Sequence, residues 1–413
     1  MKELPALVVA LLLFSGLCLS QEQYGNVRGV VIDEQGIPLP GVAVSLDSEL
    51  YTDRAVVTTE SGIFRFINLA PGICLVKCEM PGFRTYVQEN IIVRVGGNVD
   101  LKITMKPSTM EEEVTVVAES PVIDMKKTGT AVNVTQDMLQ EIPSARDPWV
   151  ILKQLPGIVT NKENVGGSES GQQASFKAKG TWPMYSMWNM DGVPITDMYF
   201  TGSSSLYYDF DSFEEMQVVT SGQDASIQTG GVSINFITRR GGNKFQVVTR
   251  AFFTNDSLQG ENRTQELIDL DYVGNQINQI LDYGIQVGGP IKKDRAWFWL
   301  GYGVQDIRHY SIDGFPDDTK LEGINAKLNL RLSRHNRAEL AIIRNTKVKS
   351  GRGAGPTRPP ETTYDQASNG APLIKFEDEH MFSDNFLLSL KLSTYPLTFW
   401  LDPKGGARCA GWI

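Results

Sequence analysis

Three histidines are the whole histidine complement, His309, His335 and His380, and none sits in an HxxE or HExxH pattern. A zinc hydrolase needs His and Glu ligands at defined spacing and an open water position. That chemistry fails on ligands, and no G-x-S-x-G elbow supplies a serine nucleophile instead. No catalytic residue, metal ligand or cofactor site is expected. Cys74 and Cys78 lie four apart in ICLVKCEM. On a strand they share a face but stand roughly 13 Å apart, too far for a bridge, so they read as small buried thiols. Asp209, Asp211 and Glu214 in YYDFDSFEE could hold a cation, yet the same letters describe a solvated acidic loop. GRGAG at 351–355 lacks the strand, helix and GK[ST] of a phosphate loop.

The elements that must position any site are mostly strands. The 413 residues allow two or three domains. With 39 basic against 48 acidic residues, a net charge of −9, the chain has no basic excess for nucleic acid. Leu4 to Phe14 is an apolar run behind Lys2, with small Cys18 and Ser20 ahead of Gln21, which reads as a cleaved signal peptide over 1–20. Cys18 as a lipidation site is disfavoured by the bulk of Leu17. Export then carries the mature chain out of the cytoplasm.

Residues 25–107 read as short strands near 27–32, 42–46, 63–67, 73–79, 91–95 and 99–105, separated by Gly/Pro turns, and Pro107 closes the unit. GVVIDEQGIPLPGVAVSL, ESGIFRFINLAPG and PGFRTY resemble the carboxypeptidase regulatory-like domain, which implies a transthyretin-like β-sandwich. Sugar binding is sometimes suggested for that fold, but the likeness alone does not establish it.

Residues 119–245 open with two short amphipathic helices split by Pro143. One carries Met138, Leu139 and Ile142; the other carries Trp149, Val150, Leu152 and Leu155 behind an Asp147 N-cap with Pro148 at the first position. Short strands follow. Five places in order resemble the plug domain of TonB-dependent outer-membrane receptors. They are QLPGIV (Pro156, Gly157), KG (Lys179, Gly180), MDGVPITD (Asp191, Gly192), FEEMQVVTSG, and GGVSINFITR (Gly230, Gly231, Asn235, Thr238). Lys179 stands where the family usually has Arg, and SGQDAS replaces its usual RGP-type turn. The aromatic set in DMYFTGSSSLYYDF (Tyr199, Phe200, Tyr207, Tyr208) is the candidate ligand contact, with plug packing as the alternative use of those rings.

Between the two units lies EEEVTVVAES. Its β-branched run has no hairpin partner after it. Its place ahead of the plug is where the family keeps its coupling strand, so the resemblance makes 111–118 (Val114, Thr115, Val116, Val117, Ala118) the segment gripped by a TonB-like periplasmic energy transducer. A last strand of the sandwich, or a linker, reads equally from the letters.

After Phe245 the chain alternates in segments of barrel length, with polar Asn325, Lys327, Asn329 and Arg331 opposed to Ile324, Ala326, Leu328 and Leu330. Trp297, Trp299 and Tyr302 are candidates for an aromatic girdle against outer-membrane lipid, and 349–370 reads as a long outer loop. A soluble sheet with one wet face shows the same alternation. The fold expected is therefore mainly β: sandwich, small α+β plug, then the first strands of a transmembrane β-barrel over 246–413. These offer about six to eight strands, so the barrel is expected to be incomplete and the chain an N-terminal fragment. The resemblance implies an energy-coupled receptor in the cell outer membrane that imports an unidentified ligand (sugar, peptide or metal chelate), with no enzymatic step. The alternative is a surface carbohydrate-binding or adhesion protein without active import.

Overall fold

The computed structural model describes residues 23–48, 54–108, 113–117, 130–141, 145–197, 202–223, 227, 229–272, 274, 276–311, 313–368, 370–383 and 386–404, with backbone alone for 113–117. The signal peptide, Cys18, Cys409, Ala118, Ile142, Pro143, Tyr199 and Phe200 lie outside them.

The sandwich is built from β1 (Gly25–Ile32), β2 (Ala43–Ser48), β3 (Arg54–Val57), β4 (Ile63–Leu69), β5 (Gly72–Glu79), β6 (Thr85–Val93) and β7 (Asn98–Thr104). One sheet runs β4-β1-β7, and the other begins β3-β2-β5-β6. Period-two alternation sends Val99, Leu101 and Ile103 of β7 inward against Val27, Phe64, Phe66 and Val76. Cys74 and Cys78 join that core as free thiols, and burial pushes each up to about 12, so neither ionises near neutrality.

The next strand, β8 (Glu113–Val117), closes the second sheet. It pairs in parallel with β6, Thr85 opposite Glu113 and Gln88 opposite Val116. No hairpin signal announces it because a parallel neighbour arrives by a crossover, here through β7. The stretch read as lacking a local partner thus has one.

The plug comprises β9 (Thr130–Thr135), α1 (Gln136–Glu141), α2 (Pro148–Gln154), β10 (Ile158–Thr160), β11 (Phe176–Ala178), β12 (Met187–Met190), β13 (Val193–Pro194), β14 (Phe213–Ser221) and β15 (Ser233–Thr238). Its main sheet is ordered β13-β12-β15-β14-β9. Asp147 caps α2, accepting from Trp149 N–H at 2.9 Å, with Pro148 at the first helical position. Asp191 (φ +46°) and Gly192 (φ +72°) form the two-residue turn between β12 and β13, where both central residues must be left-handed. Trp149, Trp188, Phe213 and Phe236 fill the core, with ring centroids 4.5–6.0 Å apart where they meet.

The last unit is a curved wall of β16 (Gln246–Asn255), β17 (Gln276–Lys292), β18 (Ala296–Tyr310), β19 (Asp318–Arg331), β20 (Asn336–Arg352), β21 (Tyr364–Ser368), β22 (Leu373–Ser383), β23 (Phe386–Thr394) and β24 (Phe399–Pro403). All of its pairings are antiparallel. Among the described residues it does not close into a barrel. Its strand count of nine slightly exceeds expectation, because part of 349–370 is not loop: β20 runs on to Arg352 and β21 pairs with it.

The wall's polarity separates a membrane sheet from a soluble one. Asp282, Asn325, Lys327, Glu339 and Lys375 are buried on the inner face, while Leu300, Ile324, Ile342, Leu388 and Leu390 are exposed on the other face. A soluble sheet would bury the apolar set. Trp297 and Trp299 correct the girdle assignment. Both are buried on the plug side: the Trp299 indole donates to Gln286 at 3.0 Å and the Trp297 indole to Asn243 at 2.8 Å. Tyr302, 39 % exposed, does face outward. The alternation is therefore read one residue out of phase in AWFWLGY, where glycines leave large rings room inside. No described helix is long and apolar enough to cross a membrane.

Candidate functional site

Tight connections at 293–295 and 332–335 mark one end of the wall, and the longer ones at 256–275 and 353–363 mark the other. In outer-membrane barrels short turns are periplasmic and long loops extracellular. The sandwich meets the short-turn end. Lys375 donates to Gln23 at 2.7 Å, the Tyr24 hydroxyl to Glu377 at 3.3 Å and Arg337 to the Asn68 carbonyl at 3.0 Å.

Toward the long-loop end, a cavity of about 240 Å³ lies between plug and wall. Hydroxyls and carboxamides dominate its lining: Ser203, Ser205, Gln173, Asn345, Gln366 and Ser368. Tyr207, one of the aromatic candidates, is there, and Lys347 donates to its hydroxyl at 2.8 Å. Burial pushes that phenol up to about 12, so it stays protonated. Tyr208 points the other way, 4.5 Å from Phe236 in the plug core, so packing and not ligand contact explains it. Adjacent residues on extended backbone face opposite sides, which decides between the two rings.

The plug motifs are scaffold. Lys179 N–H donates to the Gly157 carbonyl at 3.3 Å, joining the KG turn (Lys179 φ +47°, Gly180 φ +81°) to the LPG turn. Asp191 accepts from Thr238 N–H at 3.0 Å and its hydroxyl at 2.6 Å. A Cβ on Gly231 would stand 2.2 Å from the Tyr185 carbonyl oxygen. Asn235 is buried on β15, level with Asn189 of β12. The wall reaches into this scaffold through Lys327, whose ammonium lies 2.8 Å from Asp191 and 3.1 Å from the Thr238 carbonyl.

Sequence reading missed the largest anchor. Asp209 and Asp211 do not form a solvated acidic loop. Both are buried, and Arg250 of β16 reaches them at 2.8 and 2.9 Å while also bonding Asp282 of β17 at 2.6 Å. Arg146, in the plug, pairs with Asp211 and lies 3.3 Å from Asp282. Burial raises the Asp209 carboxyl, which Arg250 does not fully offset. At Asp211 burial acts the same way, but Arg146 and Arg250 outweigh it and hold the carboxyl below its ordinary value. Partners so far apart in sequence leave no local signal, although a charged Arg250 and Asp282 inside alternating strands is the trace that was there to read. Among the described residues no group of three His, Cys, Asp or Glu could hold a metal.

Glu215, 3 % exposed, joins plug to sandwich. Val95 N–H lies 3.3 Å from both its oxygens, Asn133 donates to it, and Gln217 donates to the Val95 carbonyl at 2.8 Å. Burial pushes the Glu215 carboxyl up to about 7; the Val95 and Asn133 bonds and Arg94 work downward, and Glu214 upward. A carboxyl raised by docking favours the docked state fully below its ordinary value near 4.5, and that contribution is lost as pH rises to about 7. Docking of the sandwich is therefore expected to weaken by up to about 3 kcal/mol across that window and to level off above it. Energy transfer between dyes at positions 61 and 333, titrated from pH 4 to 8, should follow this curve, and Glu215→Gln should flatten it.

The carboxypeptidase regulatory-like domain family matches residues 26–106, and the TonB-dependent receptor plug domain family matches 124–256. The TonB-dependent transporter Oar of Myxococcus xanthus is 28 % identical over 324 residues, 75 % of this chain and 29 % of the relative. The chain thus spans under a third of that protein's length. Among solved structures, the outer membrane transporter YddB of Escherichia coli superposes with a TM-score of 0.50 at 11 % identity, over 64 % of this chain and 38 % of that one. The siderophore receptor PirA of Acinetobacter baumannii gives 0.46 at 15 %, over 61 % and 38 %. An internal plug anchored to a wall that is polar inside and apolar outside defines the class, an outer-membrane β-barrel protein with a plugged lumen. Within that class the chain carries a unit that matches the TonB-dependent receptor plug domain, with a carboxypeptidase regulatory-like domain ahead of it, and its place is the outer membrane.

Proposed function

We propose that this chain is the receptor-facing part of an energy-coupled importer, in which ligand enters the cavity around Tyr207 and a periplasmic transducer pulls on β8. The observation that carries the reading is the arrangement along one axis. A hydroxyl- and amide-lined cavity lies on the long-loop side of the plug, and an edge strand lies on the short-turn side. Strand addition at that edge supplies main-chain grip without demanding a side-chain sequence. Since β8 is already paired with β6, the sandwich holds the strand in reserve. Ligand binding and transducer engagement then free it, and the pull rearranges a plug held mainly by polar contacts. No catalytic step is required.

The cavity's mixed donors and acceptors suit a neutral, hydroxyl- or amide-bearing ligand such as a sugar or peptide over a bare apolar one. Titration calorimetry with an oligosaccharide series, a peptide series and a ferric chelate tests this. One of the first two is expected to bind, and Tyr207→Ala should weaken it about tenfold, the loss of roughly 1.4 kcal/mol. Binding unchanged in Tyr207→Ala would move the site elsewhere.

A further inference from the structure

A second cavity, about 230 Å³, lies inside the plug between α2 and the loop that follows β10. Successive turns fold that loop on itself: the N–H groups of Ser168, Ser170 and Gln172 donate to the carbonyls of Val165, Gly167 and Glu169 at 3.1, 3.1 and 2.9 Å. It also presses on the wall, since a Cβ on Gly171 would stand 2.5 Å from Thr319, near the start of β19. The charged side chains of the lining are all engaged. Lys153 pairs with Glu163, and Lys162 lies 3.0 Å from Glu169. The Asp147 carboxyl accepts from the backbone N–H of Trp149 at 2.9 Å and from Asn164 Nδ2 at 2.8 Å, one bond to each oxygen. Two neutral donors are left. Trp149 is only 4 % exposed, and among the described residues neither its indole Nε1–H nor Gln172 Nε2 has a hydrogen-bond partner, although both atoms are shut off from solvent. A buried donor is costly unless an acceptor meets it. The cavity's about 230 Å³ is far above the roughly 10–15 Å³ that holds one water, so there is room for more than a solvent bridge. Gln172 also lines the cavity around Tyr207, so one carboxamide borders both spaces.

We propose that this cavity is a second subsite for the imported ligand and takes an amide carbonyl, whose oxygen accepts from the Trp149 indole and the Gln172 carboxamide. The inference rests on the reading of the Tyr207 cavity as the place where ligand enters, and it adds the chemistry of the neighbouring unit. Charge does not select here, because every cation in the lining is matched by an acid. Selection falls to the two N–H donors. A carbonyl oxygen carries two lone pairs and takes both at once. A hydroxyl in its place brings an O–H donor of its own to a lining whose unmet groups are donors already. An analogue without an acceptor there leaves both donors buried and unpaired, which is how such sites reject it. Amide carbonyls occur in peptides and in N-acetylated sugars, and recognition by these two donors is the same for both.

The test uses the full chain in detergent, labelled with 5-fluorotryptophan, and the fluorine resonance of position 149 is the one missing from Trp149→Phe. N-acetylglucosamine and N-acetylalanine methylamide are titrated, with glucose as the probe that lacks the amide. At least one of the first two is expected to shift that resonance to saturation, with glucose weaker by about tenfold or more. A response to the sugar alone identifies an N-acetylated glycan, to the amino-acid derivative alone a peptide, and to both the carbonyl itself. Gln172→Leu removes a donor that makes no bond within the protein, so affinity should fall about tenfold while the urea midpoint holds or rises. Trp149→Phe, followed through the probe's own saturation-transfer signal, removes the other donor and should lose as much. No saturable shift, equal affinity for glucose, or parental affinity in both variants overturns the assignment. The resonance of position 149 reports this cavity alone, so these outcomes are distinct from binding that Tyr207→Ala leaves unchanged, which strikes the outer cavity instead.

Discussion

Replacing Arg250 by methionine is expected to loosen the plug from the wall at a cost of about 3–5 kcal/mol, the range for breaking a buried ion pair from one side. Arg250 reaches three carboxylates, Asp209, Asp211 and Asp282, and its removal leaves them with Arg146 as their remaining cation in that group. Uncompensated buried charge, more than the lost attraction, sets the size of the effect. Urea unfolding of the chain in detergent measures it. Adding Asp282→Asn to the Arg250→Met protein should recover part of the loss, because it takes away one of the stranded charges. A single variant within 1 kcal/mol of the parent would mean that the plug is held by the Lys327–Asp191 contact and packing instead.

The second large effect is expected at Val116. Val116→Pro removes a backbone donor from β8 and fixes its φ, so neither β6 nor a transducer strand can form a full ladder with it. Coupled uptake should be abolished, while binding of ligand to the outer cavity remains at the parental level. The sandwich should also stay folded, because its core among the described side chains lies in β1, β2 and β4 to β7. Uptake at the parental rate in this variant would remove β8 from the coupling path.

The sandwich was legible because its turns are written in Gly and Pro between short alternating strands, as in GIPLPG and LAPGI. The plug was legible because its left-handed turns demand particular residues, and Asp191-Gly192 and Lys179-Gly180 sit where the motifs placed them. What escaped were relations between residues distant in sequence. Asp209 with Arg250, Asp191 with Lys327 and Glu215 with Val95 each need the fold to bring them together. Phase was the other failure. Trp297 and Trp299 obey the alternation of a barrel strand, but nothing local says which set faces lipid until Gly301, Gly303 and the buried Lys327 of the neighbouring strand fix it. For β8 the letters leave a last strand of the sandwich as one alternative among three, and the structure has that pairing; hairpin spacing could not single it out, because a parallel pairing does not meet it.

The central claim is that β8 leaves the sandwich to be gripped by a transducer. Gln88 and Val116 are direct cross-strand partners, so cysteines at these two positions can lock β8 to β6 by oxidation. A photo-crosslinker at position 115 in energised cells then reports contact with the transducer's periplasmic domain. The account predicts an adduct in the reduced protein, its loss when the lock is oxidised, and its return on reduction. An adduct that forms equally in the locked protein, or none in any state, would contradict it.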